Sequence, residues 1–283
     1  MSFDVRRRVT NRSFRIGMNI LARGMRALMR ANRVSGYFCV GADKTHYYWN
    51  GLRFEYHFSE FGVAGNIDTG GSAETETIEK LAQMLTGQIV FYDIGAHEGL
   101  YSLSIKQRFR NSTIYAFEPD ATALRVNLGL NDATEIEIFE CAVGEQEATV
   151  TMTIGHRSSN YITSDESAGK KFEMKTVDQL VATRALEIPT AMKVDIEGYE
   201  YQALRGASRT LSASRSIVVT EINECFHRYH QDLGPWRDFM GTLGYNLHFL
   251  DAGRLQPVPL DIALVSTLPP SADGNYWWLP KNS

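Results

Sequence analysis

The chain has 283 residues, of which 43% are hydrophobic and 22% charged, and its formal net charge is −4. That size and composition fit one α/β domain with extensions and exclude a globally disordered chain. The acidic balance gives no general basis for nucleic-acid binding, so no nucleic-acid partner is expected.

The charge is unevenly spread. Residues 1–34 carry Arg6, Arg7, Arg8, Arg12, Arg15, Arg23, Arg26, Arg30 and Arg33 against Asp4, a net of +8 that leaves −12 for the remainder. Phe14, Met18, Leu21, Met25, Leu28 and Met29 recur at three- and four-residue intervals, which predicts a basic amphipathic helix. Such a helix suits peripheral contact with a membrane surface. It equally suits docking on the acidic body of its own chain or of a second subunit, so a homo-oligomer is among the expectations. No apolar run approaches the ~18 residues of a membrane span, and residues 1–34 lack the apolar segment of a secretory signal. Cys39, Cys141 and Cys225 are far apart and match no metal spacing. They read as free thiols of a reducing compartment. The expected location is cytoplasmic, with membrane association through residues 1–34 as the alternative to docking.

Next, aromatic β-prone runs at 45–49 and 52–57 flank Asn50-Gly51, a hairpin signal. Residues 35–72 are therefore expected to form a hairpin extension, a lid or brace, ending near Gly70-Gly71. A helix over 74–85 places Ile78, Leu81, Ala82 and Leu85 on one face and opens the domain expected to span 73–283. Strands at 89–94, 113–118, 136–141, 191–196 and 216–222 then alternate with helices at 99–108, 121–130, 178–185 and 199–211. This alternation predicts an α/β fold with a mostly parallel, doubly wound sheet. Residues 147–176 interrupt it with two extra strands around a Ser/Asn/Gly-rich loop. A helix near 234–243 follows, and 245–250 and 260–266 are read as closing strands.

The chemistry concentrates at strand ends. Asp93-Ile94-Gly95-Ala96-His97-Glu98-Gly99 carries an apolar strand into a helix N-terminus, where free N–H groups and glycines admit a cofactor. The spacing is G-x-x-x-G. A dinucleotide turn needs G-x-G-x-x-G, and position 97 is His. A pyrophosphate also sits poorly beside Asp93 and Glu98, whereas a sulfonium cofactor does not. Glu118 ends the second strand, where a carboxylate can accept both ribose hydroxyls. Pro119 offers an apolar face to an adenine, and Cys141 and Ala142 line its pocket. Alternation places Lys193, Asp195 and Glu197 on one side of the fourth strand, an arrangement costly to bury unless paired or functional. Asp195, Glu197 and Glu221 at strand ends and His156, His227 and His230 from loops are candidate general bases, an acid of the Asp195–Glu197 cluster tuned by Lys193 being the choice. His156, Asn160, His227 and His230 lie in loops where a substrate would sit. Asp195, Glu221 and Asn223 are hard oxygen donors that could hold Mg²⁺, the less favoured option.

FYDIGAHEGLYSL (91–103), YAFEPDATALRVNLGLN (115–131), KTVDQL (175–180), MKVDIEGYEYQALRGA (192–207) and VVTEIN (218–223) together resemble the FkbM family of S-adenosylmethionine-dependent methyltransferases. The resemblance covers about residues 75–225. It implies a Rossmann-like class I methyltransferase fold with an antiparallel final strand. It also implies methyl transfer, usually to hydroxyl oxygen, on a small molecule, glycan or glycolipid. Carried over, Asp93, Gly95 and Gly99 shape the cofactor turn, Tyr101 and Ser102 hold the methionine carboxylate, Glu118 takes the ribose, and Asp195 faces the sulfonium. The family usually has Asn where His97 stands. Two other readings remain open on the residues alone: an NAD-dependent oxidoreductase and a non-catalytic cofactor-binding module.

Overall fold

The computed structural model describes residues 36–40, 45–56, 74–153, 160–230, 232–262 and 264–281. The predicted basic helix of 1–34 and the break at Gly70-Gly71 lie outside them.

The main sheet has eight strands. Five are parallel: β4 (Val90–Ile94), β5 (Thr113–Phe117), β6 (Glu137–Phe139), β11 (Ala191–Val194) and β12 (Ile217–Glu221). They are followed by β13 (Tyr245–Asp251), β14 (Arg254–Pro257) and β15 (Asn275–Pro280). The spatial order is β14-β13-β15-β12-β11-β4-β5-β6, with β15 antiparallel to both β12 and β13. The mostly parallel sheet with an antiparallel final strand is the one that the family resemblance implies.

Every residue of β4 is buried, and the period of two sorts its side chains between two cores. Val90, Tyr92 and Ile94 face a cluster shared with Met192, Val194 and Val218; Phe91 faces one shared with Ile114, Ala116, Ala191 and Val219. The second face is covered by α1 (Thr75–Met84), α2 (Leu100–Arg108) and α3 (Thr122–Leu130); α1 buries Ile78, Leu81 and Ala82, as its periodicity predicts. The first face is covered by α4 (Val177–Arg184), α5 (Glu200–Arg205), α6 (Ser208–Ser214) and α7 (Gly234–Thr242). The single helix predicted over 199–211 is thus two, broken at Gly206-Ala207.

The N-terminal extension is a three-stranded antiparallel meander, β1 (Gly36–Val40), β2 (Thr45–Trp49) and β3 (Leu52–Tyr56), one strand more than predicted. Asn50 (φ 46°) and Gly51 (φ 86°) make the β2–β3 turn with both central residues left-handed. On the free edge of β3, the N–H groups of Arg53 and Glu55 donate to Asn131 Oδ1 and Asn127 Oδ1, both at 2.8 Å. Asn127 Nδ2 donates to the carbonyl of Glu98 at 2.9 Å. One buried amide therefore ties the meander to the turn after β4.

Residues 142–175 contribute a second sheet of order β7-β10-β8-β9, from β7 (Ala142–Val143), β8 (Ala148–Thr153), β9 (Ile162–Thr163) and β10 (Gly169–Lys175). The two predicted extra strands pair antiparallel as β8 and β10. The predicted closing strand at 260–266 is not a strand. Leu260 is 88% exposed and Val265–Thr267 is a 3-10 turn. The closing strand is β15, whose Trp277 and Trp278 are fully buried, one in each core. Among the described residues no helix is long and apolar enough to cross a membrane.

Candidate active site

A cavity of about 470 Å³ opens at the C-terminal ends of β4, β5, β11 and β12. It lies where the strand order reverses between β4 and β11, the usual ligand position in such sheets, and its size suits a small-molecule site.

The turn after β4 builds one wall. Asp93 is buried, and its Oδ2 accepts from the backbone N–H (2.9 Å) and hydroxyl (2.6 Å) of Ser102, fixing the first turn of α2. Burial pushes the Asp93 carboxyl up to about 6, against the pull of the Ser102 hydrogen bonds. Gly95 has φ +83°, and a Cβ there would meet the backbone oxygen of Asp195 at 1.9 Å, so the turns after β4 and β11 lie back to back. His97 is also left-handed (φ 47°), a conformation in which Asn, Asp and His are enriched among non-glycine residues. That explains how His can replace Asn. The strained turn points the His97 N–H at Glu118 Oε2 (2.9 Å), while Glu118 Oε1 accepts from the N–H of Asp120 (3.2 Å). Burial raises the Glu118 pKa, with the His97 N–H opposing.

The opposite wall carries an unusual lysine. Lys193 sits on β11 in register with Asp93 on β4, both on the buried face under α2. Lys193 is 1% exposed and its Nζ donates to Asp195 Oδ2 at 2.8 Å, 5.1 Å from the centre of the Tyr101 ring. Burial opposes its charge, but the neighbouring carboxylates, Asp195 first and then Glu74, outweigh burial and hold it protonated. Burial and the neighbouring Asp195 push the Glu221 carboxyl up to about 9, so it is neutral at pH 7. Asp195 Oδ1 has no hydrogen-bond partner among the described residues and lies on the cavity.

Beyond Val194 the strand ends, and strand alternation stops with it. Glu197 adopts φ 60°, and its carboxylate turns to the thiol of Cys225 (3.2 Å) and the guanidinium of Arg228 (3.3 Å). Lys193, Asp195 and Glu197 therefore do not form one row. Glu200 caps this turn: it is buried, and its Oε1 accepts from the N–H groups of Ile196 (2.9 Å) and Gly198 (3.1 Å).

A profile of the family described as "Methyltransferase FkbM domain" matches residues 93–247, more than half of the chain. The chain belongs to the FkbM methyltransferase family. It is 27% identical over 141 residues to "Methyltransferase 1" of Beauveria bassiana, covering 40% of this chain and 56% of that protein. It is 30% identical over 110 residues to "Methyltransferase sdnD" of Sordaria araneosa, covering 37% of this chain and 42% of that protein. The matches thus span about half the length of these relatives. Among solved structures, it is similar to the methyltransferase FkbM of Methylobacillus flagellatus at 17% identity and a TM-score of 0.43, over 76% of this chain and 52% of that one.

In this member of the FkbM family, Asp93, Gly95, His97, Tyr101, Glu118, Pro119, Cys141, Ala142, Asn160, Lys193, Asp195, Glu197, Glu221 and Asn223 all line the cavity. Four of the expected site residues are placed elsewhere. Ser102 is fully buried and spends its hydroxyl on Asp93, so it does not reach a cofactor carboxylate. Gly99 does not line the wall; it starts α2 at φ +86° and lies against Leu124 of α3. His227 is exposed beside Glu224, and His230 packs on Phe226 and bonds Gln202, both off the cavity. His156 lies outside the described residues. Among the described residues no group of three or more His, Cys, Asp or Glu is arranged to hold a metal ion. Asn223 uses its side-chain oxygen to cap the turn at Cys225 (2.7 Å).

Two carboxylates that shape the site escape a reading of the sequence. Glu200 has a signal in its spacing from the Asp195-Ile196-Glu197-Gly198 turn. Glu74 reads only as a helix start, yet it lines the cavity. Glu200 also gives a stability test. Burial raises its pKa from 4.5 to about 7. A raised folded pKa contributes stability present below 4.5 and lost as pH rises through about 7. Glu200→Gln keeps the Oε1 acceptor and removes the ionisation. The variant is expected to show a flatter fall of melting temperature between pH 5 and 7.5 than the wild type, read by calorimetry of both proteins.

Proposed function

We propose that this chain is an S-adenosylmethionine-dependent O-methyltransferase whose acceptor is a hydroxyl of a small molecule, glycan or glycolipid. The observation that carries this is the charge of the cavity wall. Glu74, Asp93, Glu98, Glu118, Asp195 and Glu197 line it beside the neutral Glu221, and among the described residues Lys193 is the one Lys or Arg that does. Such a wall favours a ligand bearing a sulfonium and an ammonium and repels the pyrophosphate of a dinucleotide. The G-x-x-x-G turn supports the same choice. Glu118 adds the fit for adenosine, because each carboxylate oxygen takes one backbone N–H and keeps a lone pair for a ribose hydroxyl.

When bound, S-adenosylmethionine supplies a methyl carbon activated by its sulfonium leaving group. The chain's own contribution is positional and acid–base. Lys193 pins Asp195 Oδ2 and leaves Oδ1 free to accept the proton of an acceptor hydroxyl. Glu221, neutral at pH 7, serves as a hydrogen-bond donor, and Glu197 is committed to Arg228. The brace from β3 through Asn127 holds the Glu98 carbonyl and so the cofactor turn.

Calorimetry with S-adenosylhomocysteine and with NAD tests the cofactor, and transfer of labelled methyl over glycan and glycolipid acceptors tests the chemistry. Binding of the former and not of NAD is expected. No binding of S-adenosylhomocysteine overturns the proposal. Glu118→Ala should weaken that binding on the order of 100-fold, from two charge-assisted hydrogen bonds of ~1.5 kcal/mol each.

A further inference from the structure

Glu74 stands apart from the rest of the wall. It precedes α1 in a left-handed conformation (φ 55°) and contributes no side-chain cap to that helix. Its carboxylate turns inward instead. Oε2 accepts from the Tyr101 hydroxyl and from Asn275 Nδ2, which is 2.6 Å away. Asn275 is 1% exposed on β15 and also contacts the Tyr101 hydroxyl at 3.3 Å. Thr77 is held by Asp273 through its N–H and hydroxyl, both at 3.1 Å, which locks the start of α1 against the segment before β15. One carboxylate oxygen is thus oriented by three elements: α1, α2 and β15. The other, Oε1, has no hydrogen-bond partner among the described residues, and the residue lies on the cavity. Every group around Oε2 is a donor already spent on it, so Oε1 is the end left for a ligand.

A half-buried carboxylate with a fixed back and an open front is costly unless a cation meets it. Lys193 is the nearby cation, but it donates to Asp195. Burial raises the Glu74 pKa, with Lys193 opposing, as expected for a site completed by a further positive group. On the S-adenosylmethionine reading, the ligand brings two positive groups into this acidic cavity. One is a sulfonium, which has no hydrogen to donate. The other is a primary ammonium with three N–H donors. A lone, oriented carboxylate oxygen fits the second.

We propose that Glu74 Oε1 is the receptor for the cofactor's α-ammonium, with Tyr101 and Asn275 as the residues that orient it. This rests on the cofactor reading above and adds a residue contributed from outside the 93–247 family match. Tyr101 then works through Glu74 and does not contact the methionine carboxylate. Asn275 brings the antiparallel final strand into cofactor binding, so the last strand of the sheet and the helix before its first strand close on one ligand group.

The test is a binding cycle by calorimetry on the full chain. S-Adenosylhomocysteine is compared with its analogue lacking the α-amino group and with 5′-methylthioadenosine, on wild type and Glu74→Gln. In the wild type, removing the amino group is expected to weaken binding about 10- to 100-fold, the worth of a charge-assisted hydrogen bond to a buried partner. In Glu74→Gln, S-adenosylhomocysteine should weaken by the same factor, while the deamino analogue and methylthioadenosine bind as to wild type. Retained methylthioadenosine binding shows that the variant is folded. Tyr101→Phe, which removes the orienting hydroxyl alone, is expected to lower only the affinity of ligands that carry the amino group. Equal binding of S-adenosylhomocysteine to wild type and Glu74→Gln overturns the inference, as does an equal loss for all three ligands in both variants. A wild type that binds none of the three fails the cofactor reading itself.

Discussion

Asp195→Asn is expected to lower kcat by about 10²- to 10⁴-fold, the usual contribution of a positioned general base, while S-adenosylhomocysteine affinity changes little. Asn is the informative replacement because its amide oxygen can still accept from Lys193 at the 2.8 Å position of Asp195 Oδ2. Packing around the buried lysine is then kept, and only the proton acceptor is removed. The comparison variants matter as much. Glu221→Gln should leave kcat near wild type below pH 8, because Glu221 is protonated there and an amide replaces its donor. Glu197→Gln should cost mainly the ion pair to Arg228. Turnover measured with labelled cofactor on one accepted acceptor decides between them. If Glu221→Gln loses turnover and Asp195→Asn keeps it, the base is on β12 and the assignment is wrong. Any acceptor-dependent turnover also removes the reading of the chain as a non-catalytic binding module.

Gly95→Ala should be among the most damaging single methyls in the protein. The new Cβ would lie 1.9 Å from the carbonyl oxygen of Asp195, 2.9 Å from its carbon and 2.9 Å from Ile196 Cγ2. Backbone cannot swing aside as a long side chain can, and φ +83° adds a left-handed penalty of roughly 1–2 kcal/mol. A total near 3–5 kcal/mol is expected, a size seen only where a named clash exists. For a domain of this length that is a fall in melting temperature on the order of 10 °C. Cofactor binding should be lost at temperatures where the variant is still folded, because the turns after β4 and β11 must separate. Gly87→Ala separates strain from clash: its φ is +71°, but nothing lies within 4 Å of the added Cβ. It should cost only the left-handed term. Wild-type binding of S-adenosylhomocysteine by Gly95→Ala would show that the close approach does not hold the site together.

The amides of the meander illustrate a middle case. Asn127 and Asn131 are visible in the sequence as residues trailing the Phe117-Glu118-Pro119 motif, but nothing local says what they hold. In the fold they satisfy the free edge of β3, 72 and 78 residues away in sequence. The motif is legible because spacing on one helix is local. Its purpose is not, because the partner strand arrives from elsewhere.

What the sequence determines alone is what short-range physics determines. Periods of two and of about 3.6 residues identify the strands and helices that cover both faces of β4, since a fully buried strand must be apolar on alternate sides. Asn50-Gly51 sets a turn because both residues tolerate positive φ. The G-x-x-x-G turn and the strand-end carboxylates Asp93, Glu118 and Asp195 are placed by the right-handed crossovers that a parallel sheet requires. Only the tertiary structure decides which charges meet. Alternation ends with β11 at Val194, and the left-handed Glu197, capped by Glu200, turns its carboxylate away to Arg228. His227 and His230 follow the correct strand but point off the cavity, because the 3-10 turn after it rotates them outward. Closing strand β15 was not where apolar residues near 260 suggest, since burial of Trp277 and Trp278 between two cores outweighs a local apolar run. Glu74 and Asn275 meet 201 residues apart, through long-range packing that no local pattern encodes.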